Sequence, residues 1–195
     1  MTAQTFGKDV KLYNPAFIHP TALIYGDVTI RDGASVWPQV VMRAEIYRID
    51  IGPNTNIQDF VMIHVGDRAD TIVGANCSIT HRVTLHGCTI GDNCLIGIGA
   101  TIMDGCVIGE NSIVAGGAFL KERTVIPPNS IVMGAPGQVT KTRNNAAANA
   151  LNAFLYRRNA EAYARGEHRV WSAPGFRDEI AAEMARLSAL YGPAA

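Results

Sequence analysis

Neither sign of charge is in excess in this 195-residue chain, where 17 lysines and arginines balance 17 aspartates and glutamates. A partner rich in phosphate selects for a basic surplus, so neither nucleic acid nor an anionic membrane surface is expected to bind. Long apolar runs are missing too. No segment approaches the ~18 uninterrupted apolar residues of a membrane span. The opening MTAQTFGKDVKLYNPA has no apolar stretch behind a basic start, which makes a cytoplasmic location the expectation. What the chain does have is apolar mass: 48% of its residues are hydrophobic and only 17% charged, enough for a sizeable core.

That apolar mass is periodic. An aliphatic residue returns at every sixth position through Ile90, Ile96, Ile102, Ile108, Val114, Leu120, Ile126 and Val132. Two places before each stands a small or short residue, in order Cys88, Cys94, Ala100, Cys106, Ser112, Ala118, Thr124 and Ser130. A period of six fits neither a helix nor plain strand alternation, and a fixed short repeat of this kind predicts a β-helix. One large and one small residue per step fill the interior of a narrow prism. All four cysteines, Cys77 included, take the small inward slot, which reads as buried packing and not as zinc ligands or disulfides.

The same spacing runs earlier through Ile18, Ile24, Ile30, Val36 and Met42, so the β-helix is expected over residues 16–137 behind a lead-in of residues 1–15. Two long gaps, nine residues from Met42 to Ile51 and ten from Ile63 to Val73, mark steps with small extrusions near 45–50 and 66–71, where function tends to sit. Gly134-Ala135-Pro136-Gly137 breaks the repeat. Residues 138–195 are expected to form a helical segment. One helix covers about 144–166, with Ala148, Leu151, Leu155 and Ala162 on one stripe, and a second covers about 177–191.

The chemistry lies in the histidines. His64 follows Ile63 and His86 follows Leu85, and three steps, one full coil, separate those aliphatics. Both imidazoles then stack on one face about 4.8 Å apart, within reach of one metal with Zn–N bonds of about 2.0–2.1 Å. His81, two places after Ile79, belongs to the neighbouring face and points away. A third ligand has to come from an adjacent molecule, and a three-fold ring of prisms supplies it. Three histidines leave a position for water, as in a catalytic zinc site, and an all-imidazole set suits Fe2+ or Co2+ as well as Zn2+. The alternative is a set of unrelated surface histidines, as His19 and His168, which lack this register, are read.

Arg43, directly after Met42, continues the column of His64 and His86 by one coil, and Asp59 shares the offset of His81 one coil earlier. Across a trimer interface Arg43 and Asp59 can form a bidentate pair; otherwise they are a solvated pair on a solenoid face. Gln58, with donor and acceptor on one amide, can orient a water or a small substrate.

Arg43-Ala44-Glu45, Ile49-Asp50-Ile51-Gly52, Thr55-Asn56-Ile57-Gln58-Asp59, His64 and the run His81-Arg82-Val83-Thr84-Leu85-His86 together resemble the gamma-class carbonic anhydrases and their bacterial relatives. The resemblance spans about residues 10–165. It implies a left-handed parallel β-helix, an all-β fold followed by C-terminal α-helices, and a homotrimer with zinc, iron or cobalt at subunit interfaces. It implies His64 and His86 from one chain and His81 from its neighbour as ligands, an interfacial Arg43–Asp59 pair, a water-orienting Gln58, and Tyr156 near the site. The implied activity is reversible hydration of carbon dioxide to bicarbonate. The sequence departs from the pattern at Glu45, usually aspartate, and at Phe60, often glycine. Residues 65–70 also lack the glutamate-bearing insertion of the founding members, which leaves Glu45 or Asp67 as candidate proton carriers. Two other classes compete. Hexapeptide acyltransferases share the prism but need one histidine and a long extruded loop; the other is a non-catalytic or differently specific metal-binding trimer.

Overall fold

A computed structural model describes residues 6–192; residues 1–5 of the lead-in and residues 193–195 lie outside the described residues. Short parallel strands stack coil on coil from Lys11–Leu12 to Ser130–Met133, forming a left-handed β-helix. Two faces of the prism form one sheet, because the strand Val41–Ile51 turns the corner between them, and the third face is a separate sheet.

The pairing follows the aliphatic repeat. Met42, Ile63, Leu85, Ile102 and Leu120 pair in succession on the first face. Ile51, Val73, Ile90, Ile108 and Ile126 pair on the second. Val36, Ile57, Ile79, Ile96, Val114 and Val132 pair on the third. All of these side chains are buried, and the four cysteines are buried and free. Each such aliphatic contributes about 1.5–3 kcal/mol by leaving water, so the stacked rows supply most of the driving force.

The corners need residues in the left-handed region. One edge uses asparagine: Asn14, Asn54, Asn76, Asn93, Asn111 and Asn129 have φ between 51° and 61°. Asparagine tolerates that region better than other side chains, and its amide bonds along the edge, Asn93 Nδ2 to Asn111 Oδ1 at 3.2 Å and Asn111 Nδ2 to Asn129 Oδ1 at 3.3 Å. A second edge passes through Gln39, Phe60, Arg82, Gly99 and Gly117, with φ between 59° and 69°. Asp59 and His81 directly precede two of these corner residues.

The extrusion expected at 45–50 is a bulge inside continuous strand. Asp27 alone on Leu23–Ile30 faces residues 45–48 on Val41–Ile51, and Gly26–Ala44 and Val28–Ile49 pair on either side. The other long step is an open connection between Met62–His64 and Thr71–Val73, tied by a 2.6 Å bond from Thr71 Oγ1 to the His64 carbonyl. After the breaker the chain folds back as Gln138–Thr142, antiparallel to Ser130–Met133, a strand inside the segment expected to be helical.

Helix α1 spans Ala146–Tyr163 and α2 spans Phe176–Tyr191. The first lies on the third face, against Phe17–Ile18, Ser35–Val36, Asn56–Ile57 and Ser78–Ile79. Its buried residues include Ala146, Asn149, Ala150, Ala153 and Ala160; of the expected stripe Ala162 is buried, Leu151 and Leu155 are half-buried and Ala148 is exposed. The expected stripe is therefore rotated, because a flat sheet lets a helix approach closely only through small residues. The larger Leu151 packs instead with Leu187, Met184 and Tyr191 of α2.

Candidate metal centre

Three neighbouring strands build the site. Val41–Ile51, Met62–His64 and Thr84–His86 pair so that Arg43 lies opposite His64 and His64 opposite His86. The two imidazole centroids are 5.0 Å apart, and His64 Nδ1 faces His86 Nε2 at 3.1 Å. Each ring is held at its remote nitrogen by a carboxylate: His64 Nε2 lies 3.0 Å from Glu45 Oε2, and His86 Nδ1 lies 2.9 Å from Asp104 Oδ2. Glu45 also pairs with Arg43. A groove of about 360 Å³ opens over the column, lined by Arg43, Glu45, Ile46, His64, Asp67 and His86.

This pair fits a divalent cation. Two ligands of a tetrahedral zinc at about 2.0–2.1 Å stand about 3.3 Å from each other, close to the 3.1 Å between the facing nitrogens. Carboxylates on the remote nitrogens are the usual outer contacts of metal-bound histidine. Glu45 is held below the usual carboxylate range: burial pushes it up, but a backbone hydrogen bond, His64 and the Arg43 guanidinium outweigh that.

His81 stands on the neighbouring edge, with Nδ1 3.1 Å from Asp59 Oδ2. Among the described residues, no three histidine, cysteine or acidic side chains converge on one point within a single chain. Arg43 and Asp59 likewise have separate partners within the chain, Glu45 and His81. Gln58 is only 2% exposed and donates from Nε2 to Asn56 Oδ1 at 2.9 Å. From Asn56 the bonds continue through Ser78 Oγ to Asn152 on α1. Tyr156 sits edge-on between Trp37 and Trp171, at centroid distances of 5.8 and 5.6 Å. Burial, and secondly the charge of Asp59, push its phenol up and keep it protonated. His19 bonds Thr21, and His168 stacks on Tyr163, so neither joins the column.

Two residues of this neighbourhood carry no sequence motif. Asp104 follows Met103, the residue one coil beyond His86 in the column count, so its signal was positional only. Trp171 lies in a short turn of 3-10 helix, Val170–Ser172, beyond the expected helix.

The fold and the histidine column define a hexapeptide-repeat β-helix with a paired-imidazole groove. Comparison with known proteins agrees on the repeat. Residues 87–122 match the family model described as bacterial transferase hexapeptide (six repeats). Gamma carbonic anhydrase 2, mitochondrial, of Arabidopsis thaliana is 36% identical over 51% of this chain and 38% of its own length. A probable carbonic anhydrase of Methanocaldococcus jannaschii is 47% identical over 42% of this chain and 51% of its own. The chain thus spans about half, or less, of the length of these curated relatives. A solved hexapeptide transferase family protein from Anaplasma phagocytophilum superimposes with a TM-score of 0.72 at 31% identity, covering 83% of this chain and 95% of that one. The chain belongs to the hexapeptide-repeat family, and over about half of its length it is similar to gamma carbonic anhydrases.

Proposed function

We propose that the protein is a metal-dependent carbonic anhydrase, hydrating carbon dioxide reversibly to bicarbonate, and that it works as a homotrimer. The observation that carries this reading is the facing pair His64 Nδ1 and His86 Nε2 at 3.1 Å, each ring held from behind by a carboxylate. His64 and His86 of one subunit and His81 of the next would hold Zn2+, with Fe2+ or Co2+ as alternatives to which three imidazoles are equally suited. The cation supplies acidity, bringing the pKa of a water molecule toward 7. Gln58 would orient a water or small substrate there with the amide capacity that its bond to Asn56 leaves free. Tyr156, protonated and fixed between two tryptophans, is a second donor at the rim. Glu45 fixes His64 and, being half exposed, can pass a proton on to solvent. Arg43 and Asp59 exchange their partners within the chain for each other across the interface. Four free, buried cysteines suit a reducing compartment such as the cytoplasm.

Subunit mixing tests the shared site. His81→Ala and His86→Ala should each abolish metal binding and hydration while keeping the β-helix. Refolding the two together should regain both, because a mixed trimer restores a complete site at an interface between the variants. Activity is read by stopped-flow hydration on trimer loaded without oxygen. Two inactive variants that stay inactive when mixed would contradict a ligand set drawn from two chains.

Acyl transfer is the second reading, favoured by the likeness to a hexapeptide transferase family protein. Saturable coenzyme A binding by metal-free trimer would support it.

A further inference from the structure

We infer that Asp104 is a positioning residue for His86, fixing the tautomer and the ring direction with which that imidazole meets a cation; this rests on reading His86 as a ligand. Asp104 Oδ2 lies 2.9 Å from His86 Nδ1. A carboxylate only accepts, so Nδ1 carries the hydrogen and donates it. A neutral imidazole then has its lone pair at Nε2, the atom that faces His64 Nδ1 at 3.1 Å. Asp104 contacts the site through His86 and does not line the groove over the column.

The packing around Asp104 is specific. Its other oxygen, Oδ1, is buried with no hydrogen-bond partner. Leaving a buried acceptor unpaired is unfavourable, so the arrangement does not persist for the hydrogen-bonding of that oxygen. The carboxylate lies over two glycines of successive coils. A Cβ on Gly66 would stand 2.1 Å from Oδ1, and one on Gly87 would stand 2.5 Å from it. Both positions must lack a side chain for Asp104 to reach His86. Glu45 makes the equivalent contact with His64, but it is half exposed and shared with Arg43. The Asp104 contact is the less exposed of the two, its carboxylate packed over glycine backbone.

The test uses the full chain as its native assembly and Co2+ as the probe. Affinity is measured by chelator competition, site symmetry by the visible cobalt spectrum, and the metal-free fold by its denaturant midpoint. Asp104→Ala should weaken Co2+ binding roughly 10- to 100-fold, the usual effect of losing an outer contact. It should alter the spectrum and leave the metal-free midpoint in place. Asp104→Asn, which keeps an oxygen to accept the Nδ1 hydrogen, should lose far less. Gly66→Ala should reproduce the loss by displacing the carboxylate, and add nothing in the Asp104→Ala background. Wild-type affinity and spectrum in both Asp104→Ala and Gly66→Ala would overturn the inference, as would an affinity loss that merely follows a loss of the metal-free fold. A wild-type chain without bound cobalt, or a His86→Ala variant with wild-type affinity, marks the failure of the ligand reading itself.

Discussion

An asparagine at a corner of the prism meets two requirements at once, a left-handed backbone and a side chain that bonds its neighbours in adjacent coils. Asn111, with φ of 61°, accepts from Asn93 and donates to Asn129. Glycine would meet the first requirement and fail the second; alanine would fail both. A left-handed alanine costs about 1–2 kcal/mol and each lost hydrogen bond about 1 kcal/mol. Asn111→Ala should therefore destabilise by about 2–4 kcal/mol and Asn111→Gly by about half that. Denaturant midpoints check the order; equal losses would show that backbone strain does not matter at this corner. Residues of this kind are legible in a sequence because their requirement is local and recurs. The inward aliphatics and the column of Arg43, His64 and His86 are legible for the same reason, since one coil count places all of them. Asp104 was not, because what makes it reach His86 is the absence of side chains at Gly66 and Gly87, a property of the folded surroundings.

At the scale of elements, the weakest part of the sequence reading was the face of α1. Hydropathy marks Ala148, Leu151, Leu155 and Ala162, of which only Ala162 is fully buried, whereas burial otherwise favours Ala146, Ala147, Asn149, Ala150, Ala153 and Ala160. The partner surface decided this. Alanines permit close approach, and Asn149 Nδ2 reaches the carbonyls of Asn93 at 2.8 Å and Ser112 at 3.3 Å, which no apolar stripe anticipates. Leu151 packs with α2 instead. Ionic contacts reinforce that second packing, as Arg158 bridges Glu161 and Glu179 of α2, while Arg157 ties Glu161 to Asn54 of the β-helix. Burial pushes the Glu161 carboxyl up, but Arg158 and Arg157 prevail and hold it below its ordinary value. A carboxylate with a depressed folded pKa stabilises the fold above its unfolded value, near 4.3. That stabilisation is lost as pH falls through the lower folded value. Tryptophan fluorescence in a Trp37→Phe background, which leaves Trp171 beside α1 as the reporter, should therefore begin to change below about pH 4, before the β-helix circular dichroism does. Glu161→Gln should remove this early step, and an unchanged acid transition in that variant would refute the assignment.

For the whole molecule, the question is what brings two edges of the prism together. The imidazole column lies on one face and His81 with Asp59 on the next edge, so a site uniting them needs two chains. Beside these half-sites Ile46, Phe60 and Ile98 are 75%, 58% and 58% exposed, apolar surface that association would cover. In the proposed trimer Arg43 and Asp59 would supply the directional part. Reversing one charge, Arg43→Asp, should raise the dissociation constant of the assembly at least about tenfold, a change of about 1.4 kcal/mol. The reciprocal Asp59→Arg should do the same, and the double reversal should recover much of the loss. Sedimentation velocity across a dilution series reads all three. The double variant also forfeits the contacts of Arg43 with Glu45 and of Asp59 with His81 inside each chain. Recovered assembly can then come only from a pair formed between subunits, whereas a double variant as dissociated as either single one would mean that the two residues never meet.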